Sequence, residues 1–143
     1  MKECSRHSLI ALLGGLLAAS ALSLLFYLIF DTAGIKKPFP LTALGLFLHF
    51  LILNALVEES VKFLLIRKHI GKYPYGYLLG FGFGVGEVLL NHPISEAWRG
   101  SGAILLHTIT AGILCYFVKK KKPVLGLVIA IAIHVGFNYL VLD

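Results

Sequence analysis

The 143-residue sequence predicts a single all-α domain: a polytopic membrane helix bundle of five transmembrane helices, with the N-terminus inside and the C-terminus outside. Three observations carry that expectation. The chain is 58% hydrophobic and only 14% charged, with a mean hydropathy of +0.88, whereas a soluble domain carries roughly 25% charged residues. Its apolar residues fall into five runs, and its lysines and arginines gather at one set of run ends. A soluble particle of this size is mostly surface and has no interior for so much apolar side chain. Composition therefore excludes a disordered chain, a soluble enzyme and a disulfide-rich secreted module. The length suits one domain, residues 1–143.

The first run, Leu9 to Phe30, is uncharged and long enough to cross a ~30 Å hydrocarbon core at 1.5 Å per residue. Lys2 and Arg6 with Ala19-Ser20-Ala21 resemble a signal peptide, but the run continues through Leu22 to Phe30, which predicts a retained span. Gly34 to Pro40 reads as a loop. The second run, Leu41 to Ile66, is interrupted by Glu58, Glu59 and Lys62 and ends in the basic turn Arg67 to Pro74. The third, Tyr75 to Leu90, contains Glu87, and a polar connection follows from Asn91 to Gly100. The fourth, Ser101 to Val118, ends in four lysines, and the fifth spans Val124 to Leu142.

Five spans place nine basic residues on one side (Lys2, Arg6, Arg67, Lys68, Lys72 and Lys119 to Lys122) and three on the other (Lys36, Lys37 and Arg99). The positive-inside rule assigns the first side to the cytoplasm. Clustering at loops makes the net charge of +6 a topology signal and argues against a nucleic-acid partner. Cys4 precedes the first apolar run and Cys115 lies inside the fourth, and both read as free or buried thiols.

Three glutamates and two histidines inside spans cost about 2.5–3.5 kcal/mol each, roughly 10 kcal/mol or more together, unless they face one another or water. Counted from the basic ends, Glu58, Glu87, His107 and His134 all fall about 13–18 Å deep, in one layer. Asn54, Glu58 and Lys62 share a helical stripe, Lys62 also reaches Glu59, and His134 stacks on Asn138. Lys62 is expected to neutralise a carboxylate while pointing toward the cytoplasm. Gly76, Gly80 and Gly84 recur one turn apart and predict close helix packing. A phosphate loop is the weaker reading, because no strand precedes the glycines and no Walker lysine follows them. His49 reads as a core residue, and His7, His69 and His92 as boundary residues. Trp98, Tyr73, Tyr75 and Tyr77 read as interfacial anchors, and Arg99 as an outer anchor or a cap over the polar layer.

Two adjacent carboxylates in a low-dielectric site cannot both ionise comfortably, so one is expected to hold its proton and serve as a general acid or base near neutral pH. Imidazoles and an amide nearby can orient water or stabilise an oxyanion. Glu87, His107 and His134 could equally ligate zinc with an open water position. Either arrangement activates water for hydrolysis.

The residues also carry a resemblance. Glu58-Glu59-Ser60-Val61-Lys62 resembles the EExxK motif of the PrsW family of intramembrane proteases, and Phe83 to Glu87 its FxxxE motif. Arg99 followed by His107 is similar to the family's arginine–histidine segment, and His134 to Asn138 to its HxxxN/D end. The order holds across roughly residues 45 to 142. PrsW proteins are grouped with the CAAX prenyl proteases and bacteriocin-processing enzymes. The resemblance implies an intramembrane endopeptidase in the cell membrane, acting on a membrane-anchored protein or peptide. Glu58 and Glu59 would supply the water-activating carboxylate, while Glu87 would occupy a slot held by histidine in the CAAX enzymes. His134 and Asn138 would support an oxyanion or a metal, and His107 would be an extra ligand; zinc and a metal-free glutamate mechanism both stay open. Five spans are fewer than is usual for these families, and a homodimer formed through the glycine face or the first span would compensate. The rival classes are a non-catalytic binding or immunity protein on the same fold, and a proton-coupled transport subunit.

Overall fold

A computed structural model describes residues 2–32, 55–68, 73–91 and 97–141, all of which are helix or helix-ending turn apart from Lys122 between the last two helices. The helices are α1 (Lys2–Thr32), α2 (Val57–Arg67), α3 (Tyr73–Asn91), α4 (Ala97–Lys119) and α5 (Pro123–Val141). Ala55 and Leu56 lead into α2 through a wider, π-type turn. The earlier part of the second expected span, including Asn54 and His49, lies outside the described residues. Pro74 and Pro123 sit in the first turns of α3 and α5, where a missing N–H removes no helical hydrogen bond.

α3 is the packing axis because its glycines face two ways. At Gly80 a Cβ would collide with the His107 carbonyl, and at Gly84 it would stand 2.6 Å from Ile104 Cα, so this stripe packs backbone to backbone on α4. Gly82 and Gly86 present a second stripe, against Leu12, Leu16 and Ala19 of α1. The glycine face proposed from sequence for a dimer contact is thus filled within the chain. Residue numbers rise together along the α1–α3 contact and run oppositely along α3–α4, so α1 and α3 are parallel and α4 is antiparallel to both. α5 returns along α4, with Gly102 meeting Phe137 and Gly126 meeting Phe117. α2 touches each of the other four helices.

This topology gathers the C-termini of α2 and α4 and the N-termini of α1, α3 and α5 at one end. Arg67, Lys68 and Lys119 to Lys122 therefore share that end. Above it lies an apolar core containing Ile66, Tyr75, Leu79, Leu114, Cys115 and Val118. The chain leaves α4 through two hydrogen bonds, Lys122 N–H to the Phe117 carbonyl at 2.9 Å and Lys121 N–H to the Val118 carbonyl at 3.0 Å. This is a Schellman closure, and Lys121 occupies its left-handed position at φ 59°, where glycine is usual. That conformation costs an L-residue about 1–2 kcal/mol.

The perimeter is apolar: Leu13, Leu17, Leu24, Leu64, Leu105, Val128 and Leu140 are all exposed. Among the described residues, three helices contain a stretch long and apolar enough to cross a membrane, His7–Leu25 in α1, Gly100–Lys119 in α4 and Pro123–Leu140 in α5. These are the mark of a membrane protein. α3 is 19 residues long, but five glycines, three tyrosines and Glu87 dilute its hydropathy.

Candidate functional site

Among the described residues, six polar or charged side chains are buried alongside the apolar core. Glu58, Glu59, Lys62, His107, Thr110 and His134 are buried, while Leu56 and Leu64 of α2 face outward. Residues three and four apart stack on a helix, so Glu58, Glu59, Lys62 and Ile66 form the inner face of α2. In lipid that is the face that must find partners, since an unpaired ion in hydrocarbon is costly.

Glu59 is the hub. Its Oε1 accepts from Lys62 Nζ at 2.5 Å, His134 Nδ1 at 2.8 Å and Thr110 Oγ1 at 3.2 Å. Lys62 is fully buried and donates three ways, to Glu59, to Thr110 Oγ1 at 3.0 Å and to His107 Nδ1 at 2.9 Å. Its Nζ also lies 5.1 Å from the centroid of the Phe83 ring, within cation–π range. Lys62 therefore points into the bundle rather than toward the basic end, because all three ammonium protons find acceptors there.

These bonds fix the proton positions. An ammonium has donors only, so Nδ1 of His107 is an acceptor and Nε2 carries the proton. His107 Nε2–H donates to Glu87 Oε2 of α3. On His134, Nδ1–H donates to Glu59, which leaves the Nε2 lone pair free to accept. The two rings meet edge to face, with centroids 5.1 Å apart.

Glu58 completes the cluster. Its Oε2 is buried without a hydrogen-bond partner and lies 3.8 Å from Nε2 of both His107 and His134. An unsatisfied buried carboxylate oxygen is expensive, and this one is aimed at two imidazole nitrogens too distant to bond directly. Glu58, His107 and His134 each offer a ligand atom within 4.8 Å of the others, a group that could hold a metal ion. The metal set expected from sequence had Glu87 in place of Glu58; in the structure Glu87 bonds to His107 and Glu58 closes the group.

Six of the sequence-selected residues thus converge: Glu58, Glu59, Lys62, Glu87, His107 and His134. Asn138 is half-buried one turn beyond His134, and among the described residues no hydrogen bond joins it to the cluster. Arg99 lies in the first turn of α4, and its side chain is outside the described residues, as is Asn54. Sequence reasoning missed Thr110. A signal was present, because Thr110 follows His107 by three residues and shares its helical face.

No protein-family model, curated protein or solved structure matches this chain.

Proposed function

We propose that this chain is an intramembrane endopeptidase that hydrolyses a membrane-anchored protein or peptide, with water activated at Glu58. The observation that carries the reading is Glu58 Oε2, buried and unpartnered at 3.8 Å from two imidazole Nε2 atoms. A water bridging Glu58 and His134 Nε2 has an acceptor for each of its protons. As its oxygen bonds to the peptide carbonyl carbon, Glu58 takes one proton and the carbonyl π pair moves onto oxygen. His107 Nε2–H, bonded to Glu87 before the substrate arrives, would have to exchange that partner to meet the developing negative charge. The proton then passes from Glu58 to the amide nitrogen as the C–N bond breaks. Glu59, Lys62 and Thr110 hold the imidazoles in the required tautomers. The five-span, N-inside topology belongs to the same proposal, with the site about half-way through the bilayer and separated from the basic end by the apolar core. The order of the EExxK-, FxxxE- and HxxxN-like segments supports the protease class through its resemblance to PrsW proteins.

Zinc would be held by Glu58, His107 and His134. Glu58 and the free Nε2 of His134 fit it, and the Glu59 carboxylate behind His134 is the support such ligands have. His107 does not fit: with the Lys62 ammonium on Nδ1, its Nε2 has a proton and no lone pair to offer.

The test compares membrane-protein N-termini by mass spectrometry in cells carrying wild type or Glu58→Gln. New N-termini present only with wild type are expected. Identical profiles, with the variant folded and inserted, would overturn proteolysis and leave a non-catalytic binding protein.

A further inference from the structure

A second feature lies on the outer surface, away from the charged cluster. Tyr77 of α3 and Ile109, Gly112, Ile113, Tyr116 and Phe117 of α4 line a groove of about 290 Å³. Ile109, Ile113, Tyr116 and Lys120 follow one another at intervals of four, three and four residues, which puts them along one face of the helix. From Ile109 to Lys120 that face runs roughly 16 Å, half the depth of a ~30 Å hydrocarbon core and so one leaflet. Its walls are apolar or aromatic. Beyond the lining, toward the basic end, Lys120 Nζ lies 5.7 Å from the centroid of the Tyr116 ring.

Lys121 follows Lys120 in the chain, in the left-handed position of the turn. A glycine would take this position without strain, so the turn itself does not account for a lysine. Lys119 to Lys122 are all exposed, and among the described residues no carboxylate pairs with Lys120, Lys121 or Lys122. A charge kept against conformational cost, beside an apolar channel one leaflet deep, has the chemistry of a lipid-headgroup contact. The exposed lysines favour an anionic headgroup over a second copy of this basic chain, whose own lysines would repel them.

We propose that the α3–α4 groove and Lys120–Lys121 bind an anionic glycerophospholipid, with one acyl chain along Ile109, Ile113 and Tyr116 and the phosphate at the two lysines. The proposal rests on the membrane-embedded reading of the chain and is independent of any activity at Glu58.

The full chain, purified in a neutral detergent, is titrated with phosphatidylglycerol, phosphatidylcholine and glycerol phosphate, and bound lipid is read by native mass spectrometry. Phosphatidylglycerol should bind at least tenfold more tightly than phosphatidylcholine, and glycerol phosphate should give no adduct. Lys120→Gln and Lys121→Gly should each weaken phosphatidylglycerol about fivefold. Because Lys121→Gly also relieves the left-handed strain, its melting temperature in neutral detergent should rise, which separates lost lipid from lost fold. Ile113→Trp, filling the groove with both lysines intact, should displace the lipid. Equal binding of the two lipids, or an unchanged preference in both lysine variants, would overturn the site. Glycerol phosphate binding as tightly as lipid, or lipid retained by Ile113→Trp, would overturn the place given to the chain.

Discussion

Lys62 Nζ lies 2.9 Å from His107 Nδ1, joining α2 to α4 in the buried centre of the bundle. The same ammonium neutralises Glu59, so one lysine sets the charge of a carboxylate and the tautomer of an imidazole. Removing one partner of a buried ion pair leaves an uncompensated charge, at a cost of about 3–5 kcal/mol. Lys62→Met should lose stability on that scale, read as a lowered unfolding midpoint in detergent. Lys62→Arg should not restore it, because the planar guanidinium cannot aim three donors at Glu59, Thr110 and His107 as the ammonium does. A variant as stable as wild type would mean that the cluster does not hold α2 in place.

The two adjacent glutamates should behave differently. Glu59 is held through Oε1, which accepts three donors, although its Oε2 is buried without a partner as Glu58 Oε2 is. Glu59→Gln can keep an amide oxygen at the Oε1 position, but it replaces charge-assisted bonds with weaker ones and removes the counter-ion of buried Lys62, so it should cost about 1–3 kcal/mol in unfolding measurements. Glu58→Gln is nearly isosteric and breaks no hydrogen bond at Oε2, so its melting temperature should stay close to wild type. Its proteolysis should fall by about 10²-fold or more, the usual contribution of a general base. Equal melting losses in both variants would undo the distinction.

Glycine substitutions separate packing from helix propensity. At Gly80 an added Cβ would strike the His107 carbonyl, whereas nothing lies within 4 Å of a Cβ at Gly136. Gly80→Ala should push α4 off α3 and misplace His107, lowering stability by about 1–3 kcal/mol. Gly136→Ala should gain about 0.5–1 kcal/mol from helix propensity alone. Thermal melts of the two variants should shift in opposite directions.

The all-helical, membrane-type character was legible because long apolar runs are a one-dimensional signal. The cluster was legible because an ion in a span is costly enough to need a partner, so Glu58, Glu59, Glu87, His107 and His134 stood out without any tertiary information. Which atom meets which was not legible. Equal depth put four helices in one layer, but rotation about each helix axis decides that Glu58 rather than Glu87 closes the group with the two histidines. Thr110 escaped because a threonine in a span costs little and attracts no notice until Lys62 needs a third acceptor. The second glycine stripe, Gly82 and Gly86, escaped for a related reason: a stripe shows that a helix is approached closely, not how many helices approach it.

Metal dependence provides the last discriminating measurement. Resident zinc sites typically have apparent binding free energies of about 10–16 kcal/mol at neutral pH. Here two ligands present lone pairs, while His107 Nε2–H faces Glu87 because Lys62 occupies Nδ1. Binding zinc through all three would require a proton to leave this chain of bonds and would turn a His107 Nδ1–H or a neutral lysine into the core. Protein purified through EDTA should therefore take up zinc far more weakly than ~1 nM and should cleave its substrate unchanged. Stoichiometric zinc that survives purification, disappears in His134→Ala and restores activity after EDTA would show that the proton has moved. Glu58 would then be a ligand rather than the base, and Glu87, already against His107, would be the remaining carboxylate placed to take a proton from water.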